Sequence, residues 1–333
     1  MTGIMATIGP ASNHDEVISA FLRNGVRRFR FALSKETPEW IDQTARRVRR
    51  AARGLSDVQI FVDLPGNKPR LTNDDFVHLE LGREYVLDLG NELTTADFRA
   101  VGLRLRENAA RGDIVVVGDG EDAFEVISVR ESSLIIRALT SGILGRRRGI
   151  AILGKAEENE AGTNAEFALL KQVGIDSIDG VILSFCEDTE SVQLCRDRMA
   201  DLSFRVPKSF MVMAKIETSA GSVNATAIAQ SADEIMLGRG DLLFSTGPSE
   251  FFGSVKQVEN AAKATGTPIT VATELLSSMT YRWLPARSEL TEICRLVSDG
   301  CDWFMLSHET AASPRPVEIV AFLQRLILRY GQR

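Results

Sequence analysis

Eight short apolar runs, rich in β-branched residues, recur along the chain, and most are followed by a stretch of helical periodicity. They are GIMATIG (3–9), VRRFRFAL (26–33), VQIFVDLP (58–65), GVILSF (180–185), FMVMAKIE (210–217), ADEIMLGRG (232–240), TPITVATE (267–274) and WFMLSHET (303–310). Runs this short and continuous suit strands buried on both faces. The intervening segments, such as NHDEVISAFLRNG, TPEWIDQTARRVRRAAR and PRPVEIVAFLQRLILRY, suit amphipathic helices. Asn13 (or Asp15 just after it) and Thr37 before Pro38 read as helix starts, and Gly25 and Gly174 as C-terminal caps. Strands alternating with helices imply a parallel sheet with its faces covered. Eight such units predict an α/β fold, the (β/α)₈ TIM barrel. An open doubly wound sheet is the alternative; the missing G-x-G-x-x-G after the first strand and G-x-x-x-x-G-K-[ST] anywhere weigh against its nucleotide-binding forms.

The alternation fails once, after the third strand. FVHLELGREYVLDL (76–89), DIVVVGDGEDAFEVISV (113–129) and SLIIRAL (133–139) read as short strands joined by turns at Gly-rich points. The expectation is a small β-rich domain at 70–153 inserted into a barrel built from 1–69 and 154–333.

With 39 basic and 45 acidic side chains the net charge is −6, which gives no reason to expect nucleic acid or anionic membrane as a partner. The basic runs RRVRRAAR (46–53) and RRR (146–148) are local, and the first fits a solvated helix face. Cys186, Cys195, Cys294 and Cys301 form no C-x-x-C pair and read as free thiols in a reducing, cytoplasmic setting. The three histidines have no metal spacing, and neither a signal peptide nor a membrane-spanning run is legible.

In a barrel of this type the active site lies where the strands end. Those ends carry Thr7, Arg30, Ser34, Asp63, Ser184, Lys215, Glu217, Arg239, Asp241, Thr273, Ser307 and Glu309. Any one of these could be the polar edge of a strand; the whole set points to chemistry. Side chains alternate along a strand, so Lys215 and Glu217 share a face. Glu217 and Asp241, ending successive strands, could share one Mg²⁺ or Mn²⁺, with substrate oxygens and water completing the octahedron. Lys215 would neutralise a phosphoryl group or an enolate, and Arg30 would clamp a phosphate. Gly240 lets backbone N–H groups approach an anion, and the Thr273 hydroxyl can relay a proton. A buried Lys–Glu pair without catalytic role is the lesser alternative for Lys215 and Glu217.

Six segments resemble the pyruvate kinase family, in family order: TIGPAS (7–12), KIET (215–218), GRGDL (238–242), VATELLSSM (271–279), PARSE (285–289) and MLSHETA (305–311). The resemblance implies that Arg30, Lys215, Gly240, Asp241 and Thr273 bind a phosphoenolpyruvate or pyruvate moiety. It further implies that Glu217 and Asp241 hold Mg²⁺ or Mn²⁺, that Arg70 and Arg148 meet ADP or ATP phosphates, and that the insert closes over the nucleotide as a lid.

The departures are informative. RFALSKE (30–36) puts Ala32 where the family has an asparagine beside a monovalent cation, and Lys35 where a histidine lies near the nucleotide. In DLPGNKPR (63–70), Lys68 falls where potassium-dependent members carry glutamate and potassium-independent members lysine, so a tethered ammonium near Ser34 and Asp63 would replace K⁺. Glu187 stands in place of a usual arginine. The family continues past the last barrel helix into an allosteric domain, whereas this sequence ends there, so control through that domain is expected to be absent and any homo-oligomer would form through the barrel. Three readings follow: a pyruvate kinase-like phosphotransferase, including a specialised biosynthetic kinase with a non-pyruvate acceptor; an enolate lyase or aldolase; or a non-catalytic relative.

Overall fold

The structure, a computed structural model, describes residues 2–73, 75–89, 96–101, 108–155, 161–174, 177–202 and 210–331. Its first three strands are β1 (Gly3–Thr7), β2 (Val26–Ala32) and β3 (Gln59–Leu64). Nine strands follow among the described residues: β4 (Arg70–Leu71), β5 (Val77–Leu79), β6 (Glu84–Asp88), β7 (Phe98–Val101), β8 (Ile114–Val117), β9 (Asp122–Val129), β10 (Ser133–Ala138), β11 (Gly142–Leu144) and β12 (Ile150–Ile152). The chain then returns through β13 (Gly180–Leu183), β14 (Met211–Ile216), β15 (Glu234–Gly238), β16 (Ile269–Ala272) and β17 (Trp303–Leu306). Strands β1–β3 and β13–β17 close into an eight-stranded barrel in the order β1-β17-β16-β15-β14-β13-β3-β2. Every pairing in it is parallel. The α/β barrel expected from the alternation is therefore the fold, and the open sheet is not.

Strands β4, β6–β10 and β12 form a separate seven-stranded sheet, and β5 pairs with β11. They enclose their own core, with Tyr85, Phe98 and Phe124 packed ring against ring. Two glycine turns flank the junction with the barrel. Gly66 (φ 66°) donates its N–H to Glu166 Oε1 at 2.6 Å, and Gly154 (φ 75°) donates to the Phe244 carbonyl at 2.7 Å.

Local chemistry explains most element ends. Thr37 caps the helix Pro38–Ala51, accepting from the Trp40 N–H at 3.3 Å, with Pro38 in the first turn. The helix Asp15–Arg23 starts as expected, but its cap is His14 and not Asn13, with no side-chain capping bond. Gly25 (φ 85°) follows that helix in the left-handed conformation. Gly174 is not a cap: its helix ends at Leu170 with Lys171 as C-cap, and a Cβ at 174 would lie 2.7 Å from Asp42 Oδ1. Close packing explains that glycine. Three late strands are shorter than expected, because the chain turns into helix after Gly238 and Ser307 and into left-handed backbone at Thr273.

Period-two alternation fills the barrel in layers. The middle layer is apolar: Met5, Phe61, Ile182, Met213, Met236, Ala272 and Met305. Two residues back along the strands lies a charged floor. Arg28 donates to Glu234 at 2.6 and 2.8 Å and to Gln59 at 2.8 Å, and its guanidinium stacks 3.7 Å from the Trp303 ring centroid. Thr270 also donates to Glu234. A side chain on Gly3 would strike the Trp303 ring, so β1 contributes only backbone at this level. Arg28 and Glu234 are 5% and 0% exposed, so removing one partner strands a charge in the barrel. Arg28→Met is expected to cost about 3–5 kcal/mol in urea unfolding. The double variant Arg28→Met/Glu234→Gln should recover much of that; a single-variant loss below about 1 kcal/mol would show that the pair is not insulated.

Candidate active site

Two residues forward from the apolar layer, the same alternation delivers Thr7, Asp63, Ser184 and Lys215 to the barrel mouth, with Glu217 just beyond β14; on β2, which adds no residue to that layer, Arg30 follows Arg28 on the same face and joins them. Asp63, 2% exposed, organises them. Arg30 reaches its Oδ2 through Nε at 2.7 Å and Nη2 at 2.6 Å, and donates to the Thr7 hydroxyl at 3.1 Å. Ser184 donates to Asp63 Oδ1 at 3.0 Å, and the Lys215 ammonium lies 3.6 Å from the same oxygen and 3.4 Å from Glu217 Oε1. Glu217 also accepts from the Phe185 N–H at 3.0 Å. The Thr218 side chain turns away to cap the next helix, accepting from the Gly221 N–H at 3.1 Å. Lys215 and Glu217 thus face the mouth while Thr218 ends the strand.

The electrostatics are unequal. Burial would raise the Asp63 carboxyl, but Arg30, Lys215 and the Ser184 hydrogen bond hold it below the usual carboxylate range. Burial would lower Lys215, but Asp63 and Glu217 outweigh it and hold the ammonium charged. Glu217 is pushed up to about 7, first by burial, against the pull of Lys215 and with the help of Asp241 and Asp63. Arg30 and Lys215 are the cations beside Asp63 and Glu217, and Lys68 meets Asp241 from the cleft wall. Glu217 and Asp241, two hard oxygen donors from separate elements, fit a divalent ion of the Mg²⁺ or Mn²⁺ type. No group of three or more His, Cys, Asp or Glu among the described residues forms a complete protein cage, so such an ion would draw further ligands from substrate and water.

Asp241 enters from the helix Arg239–Thr265, which starts where β15 ends and breaks at Gly247 (φ 75°, ψ 161°) before Pro248. In the first turn its carboxylate lies at the positive end of the helix dipole. Gly238 and Gly240 are glycines for room: a Cβ at 238 would lie 2.9 Å from Glu217 Oε2, and one at 240 would lie 3.2 Å from Thr273 Cγ2. Thr273 (φ 74°) and Glu274 (φ 53°) are both left-handed, a costly backbone for residues with side chains. Arg239 holds that turn, donating to the Ala272 carbonyl at 3.0 Å and to the Thr273 carbonyl, with Glu292 3.4 Å away.

The mouth opens on a cleft of about 360 Å³ between barrel and insert, lined by Lys68, Ile150, Lys155, Glu217, Asp241 and Phe244 among others. A larger hollow, about 710 Å³ around Ile269, Leu296 and Cys301, lies at the far rim by the starts of β16 and β17. Lys68 touches Asp241, Nζ to Oδ1 2.5 Å. The ammonium expected near Ser34 and Asp63 thus bonds Asp241, and among the described residues no hydrogen bond or ion pair joins it to Asp63 or Ser34. Asp63 is already taken by Arg30, Ser184 and Lys215, and Ser34 is exposed. Lys35, Arg70 and Arg148 gather beside Lys68. Lys35 stands at the rim, and its pKa is lowered by lost hydration and then by the charges of Arg70, Arg148 and Lys68. Arg148 is held by Glu121 through Nη2 at 2.8 Å to both oxygens.

Sequence reading found the mouth residues but missed three supports: the Arg239 clamp, the Glu121 carboxylate on Arg148, and Lys155, which bonds Asp113 at 2.6 Å. Only Arg239 carried a signal, its position at a strand end. The four cysteines are free, as expected. Among the described residues no helix is long and apolar enough to cross a membrane.

A closed parallel barrel with this polar mouth and a β insert after its third strand defines a (β/α)₈ enzyme-type scaffold. The family "Pyruvate kinase, barrel domain" matches residues 1–320. Pyruvate kinase of Thermoplasma acidophilum is 30% identical over 329 residues, covering 98% of this chain and 57% of the relative. That of Thermococcus litoralis is 32% identical over 335 residues, covering 98% of this chain and 68% of its own length. The crystal structure of a pyruvate kinase from Cryptosporidium parvum superposes with a TM-score of 0.86 at 25% identity, over 99% of this chain and 69% of that one. The chain belongs to the pyruvate kinase family, and spans between a half and three quarters of the lengths of these relatives.

The Arg239 clamp is testable without an assay of activity. In Arg239→Met, amide hydrogen exchange across residues 272–276 is expected to accelerate roughly tenfold, while the barrel floor keeps its protection. Unchanged exchange there would show that the turn holds itself.

Proposed function

We propose that the chain is a pyruvate kinase-like phosphotransferase that moves a phosphoryl group between phosphoenolpyruvate and ADP, or from ATP to a related small 2-oxo acid. The observation that carries this reading is the contact chain Arg30–Asp63–Lys215–Glu217, opening beside Asp241 onto a cleft with a cationic wall. Phosphoryl transfer needs positioning and charge neutralisation more than covalent chemistry. Lys215 and Arg30 would take the charge of the transferring group. Glu217 and Asp241 would hold Mg²⁺ or Mn²⁺, which would supply charge neutralisation for the transferring group. Thr273 would relay the proton at the enolate carbon, with Gly240 making room beside it. Lys35, Arg70 and Arg148 suit nucleotide phosphates, and the insert at 70–153 would act as the lid. A lyase or aldolase has no use for that cationic wall, so the kinase reading is preferred.

The deciding assay couples ADP and phosphoenolpyruvate with Mg²⁺, then Mn²⁺. Turnover on the order of 10 s⁻¹ is expected, and absence of turnover with either metal, while nucleotide binds, would move the search to another acceptor. Lys215→Met should lower kcat by about 10³-fold or more without loss of fold; unchanged turnover would remove its role. Replacing Na⁺ by K⁺ should leave the rate within about twofold, because an ammonium already stands in the cleft. A large rise with K⁺ would remove the claim of K⁺ independence.

A further inference from the structure

We propose that Lys68 is a resident cation of the divalent-metal site: its ammonium occupies Asp241 when no metal is bound, and a metal ion enters by displacing it. This rests on the reading of Glu217 and Asp241 as the metal-holding pair.

The first support is the contact itself. Lys68 Nζ lies 2.5 Å from Asp241 Oδ1, and the two side chains are 21% and 25% exposed. The two residues are 173 positions apart in sequence, so no local turn enforces the pair. Lys68 comes from the crossing between β3 and β4, and Asp241 from the barrel helix after β15.

The second support is charge. Asp63, Glu217 and Asp241 act on one another through the mouth, and Arg30 and Lys215 answer two of the three negative charges. Lys68 supplies the third cation. Buried charge left uncompensated is costly, so the site holds a positive charge whether or not metal is present. A divalent ion brings more charge to the same carboxylates, and an ammonium cannot share Asp241 with it without repulsion.

The third support is the surroundings of the Lys68 stem. A Cβ at Gly149 would lie 2.6 Å from Lys68 Cε, so the return crossing presses its bare backbone on the side chain. Lys35 lies close enough to feel the charge of Lys68 along with those of Arg70 and Arg148, and like charges gathered there favour an ammonium seated on Asp241. A polyphosphate bound by that cluster reverses the preference and gives the displaced ammonium a new partner. Metal and polyphosphate therefore favour each other's binding, through a side chain that belongs to the insert crossing.

The test uses Mn²⁺ alone, titrated calorimetrically into the full chain. Lys68→Met and Lys68→Gln are expected to bind Mn²⁺ roughly fivefold more tightly than the wild type, the scale of one partly exposed ion pair. Equal or weaker binding in variants that melt normally overturns the proposal. The wild type gives a second readout that no misfolded variant can spoil. Labelling of Lys68 by an amine-directed reagent, followed by mass spectrometry, should rise severalfold on saturation with Mn²⁺. Unchanged labelling while Mn²⁺ is bound overturns displacement. Asp241→Asn separates this proposal from the reading beneath it: loss of Mn²⁺ binding together with raised Lys68 labelling supports both, whereas wild-type Mn²⁺ affinity in that variant overturns the metal assignment of Asp241.

Discussion

Asp63 is a carboxylate that the barrel removes from water at the end of its third strand. An ion there is tolerated only if its oxygens are fully engaged. Arg30, Ser184 and Lys215 provide that engagement from three other strands. The requirement works in both directions, since the guanidinium of Arg30 and the ammonium of Lys215 are themselves withdrawn from solvent and need Asp63. One buried acceptor thereby sets where two cations stand, and Lys215 in turn sets where Glu217 meets positive charge. The catalytic geometry proposed for this chain follows from satisfying a buried anion.

The barrel repeats the device at its other end. Arg28 and Glu234 form the floor, an apolar layer of methionines, Phe61 and Ile182 insulates it, and the mouth lies above. The apolar layer keeps the two charged layers from competing for partners: Glu234 takes Arg28, and Asp63 takes Arg30, although the two arginines are neighbours on one face of β2. Methionine suits this middle layer because its flexible side chain fills the irregular space between charged groups.

At the mouth the insert completes what the barrel leaves open. The crossings at Gly66 and Gly154 are tied to barrel groups by backbone hydrogen bonds, and between them Lys68 reaches Asp241. Lys35, Arg70 and Arg148 then gather beside Lys68, answered by Glu121 on Arg148 and by Asp119 near Lys35. A cluster of like charges that the fold holds together is a standing demand for an anion. The departures of this sequence at Lys35 and Lys68 make that demand stronger.

The eight strands were legible because each is a short apolar run between helical segments, a pattern that only a covered parallel sheet accommodates. Period-two alternation also made the facing of Lys215 and Glu217 readable, a strand end singled out Arg30, and short motifs singled out Gly240, Asp241 and Thr273. What one sequence could not convey was which distant charges meet. The pairing of Lys68 with Asp241, the clamp of Arg239 on the strained turn at Thr273, and the anchoring of Arg148 by Glu121 join residues through space. Their separation along the chain has no period to reveal them. Local alternation decides which side of a strand a residue faces; the closure of the barrel and the docking of the insert decide which buried charge it must neutralise.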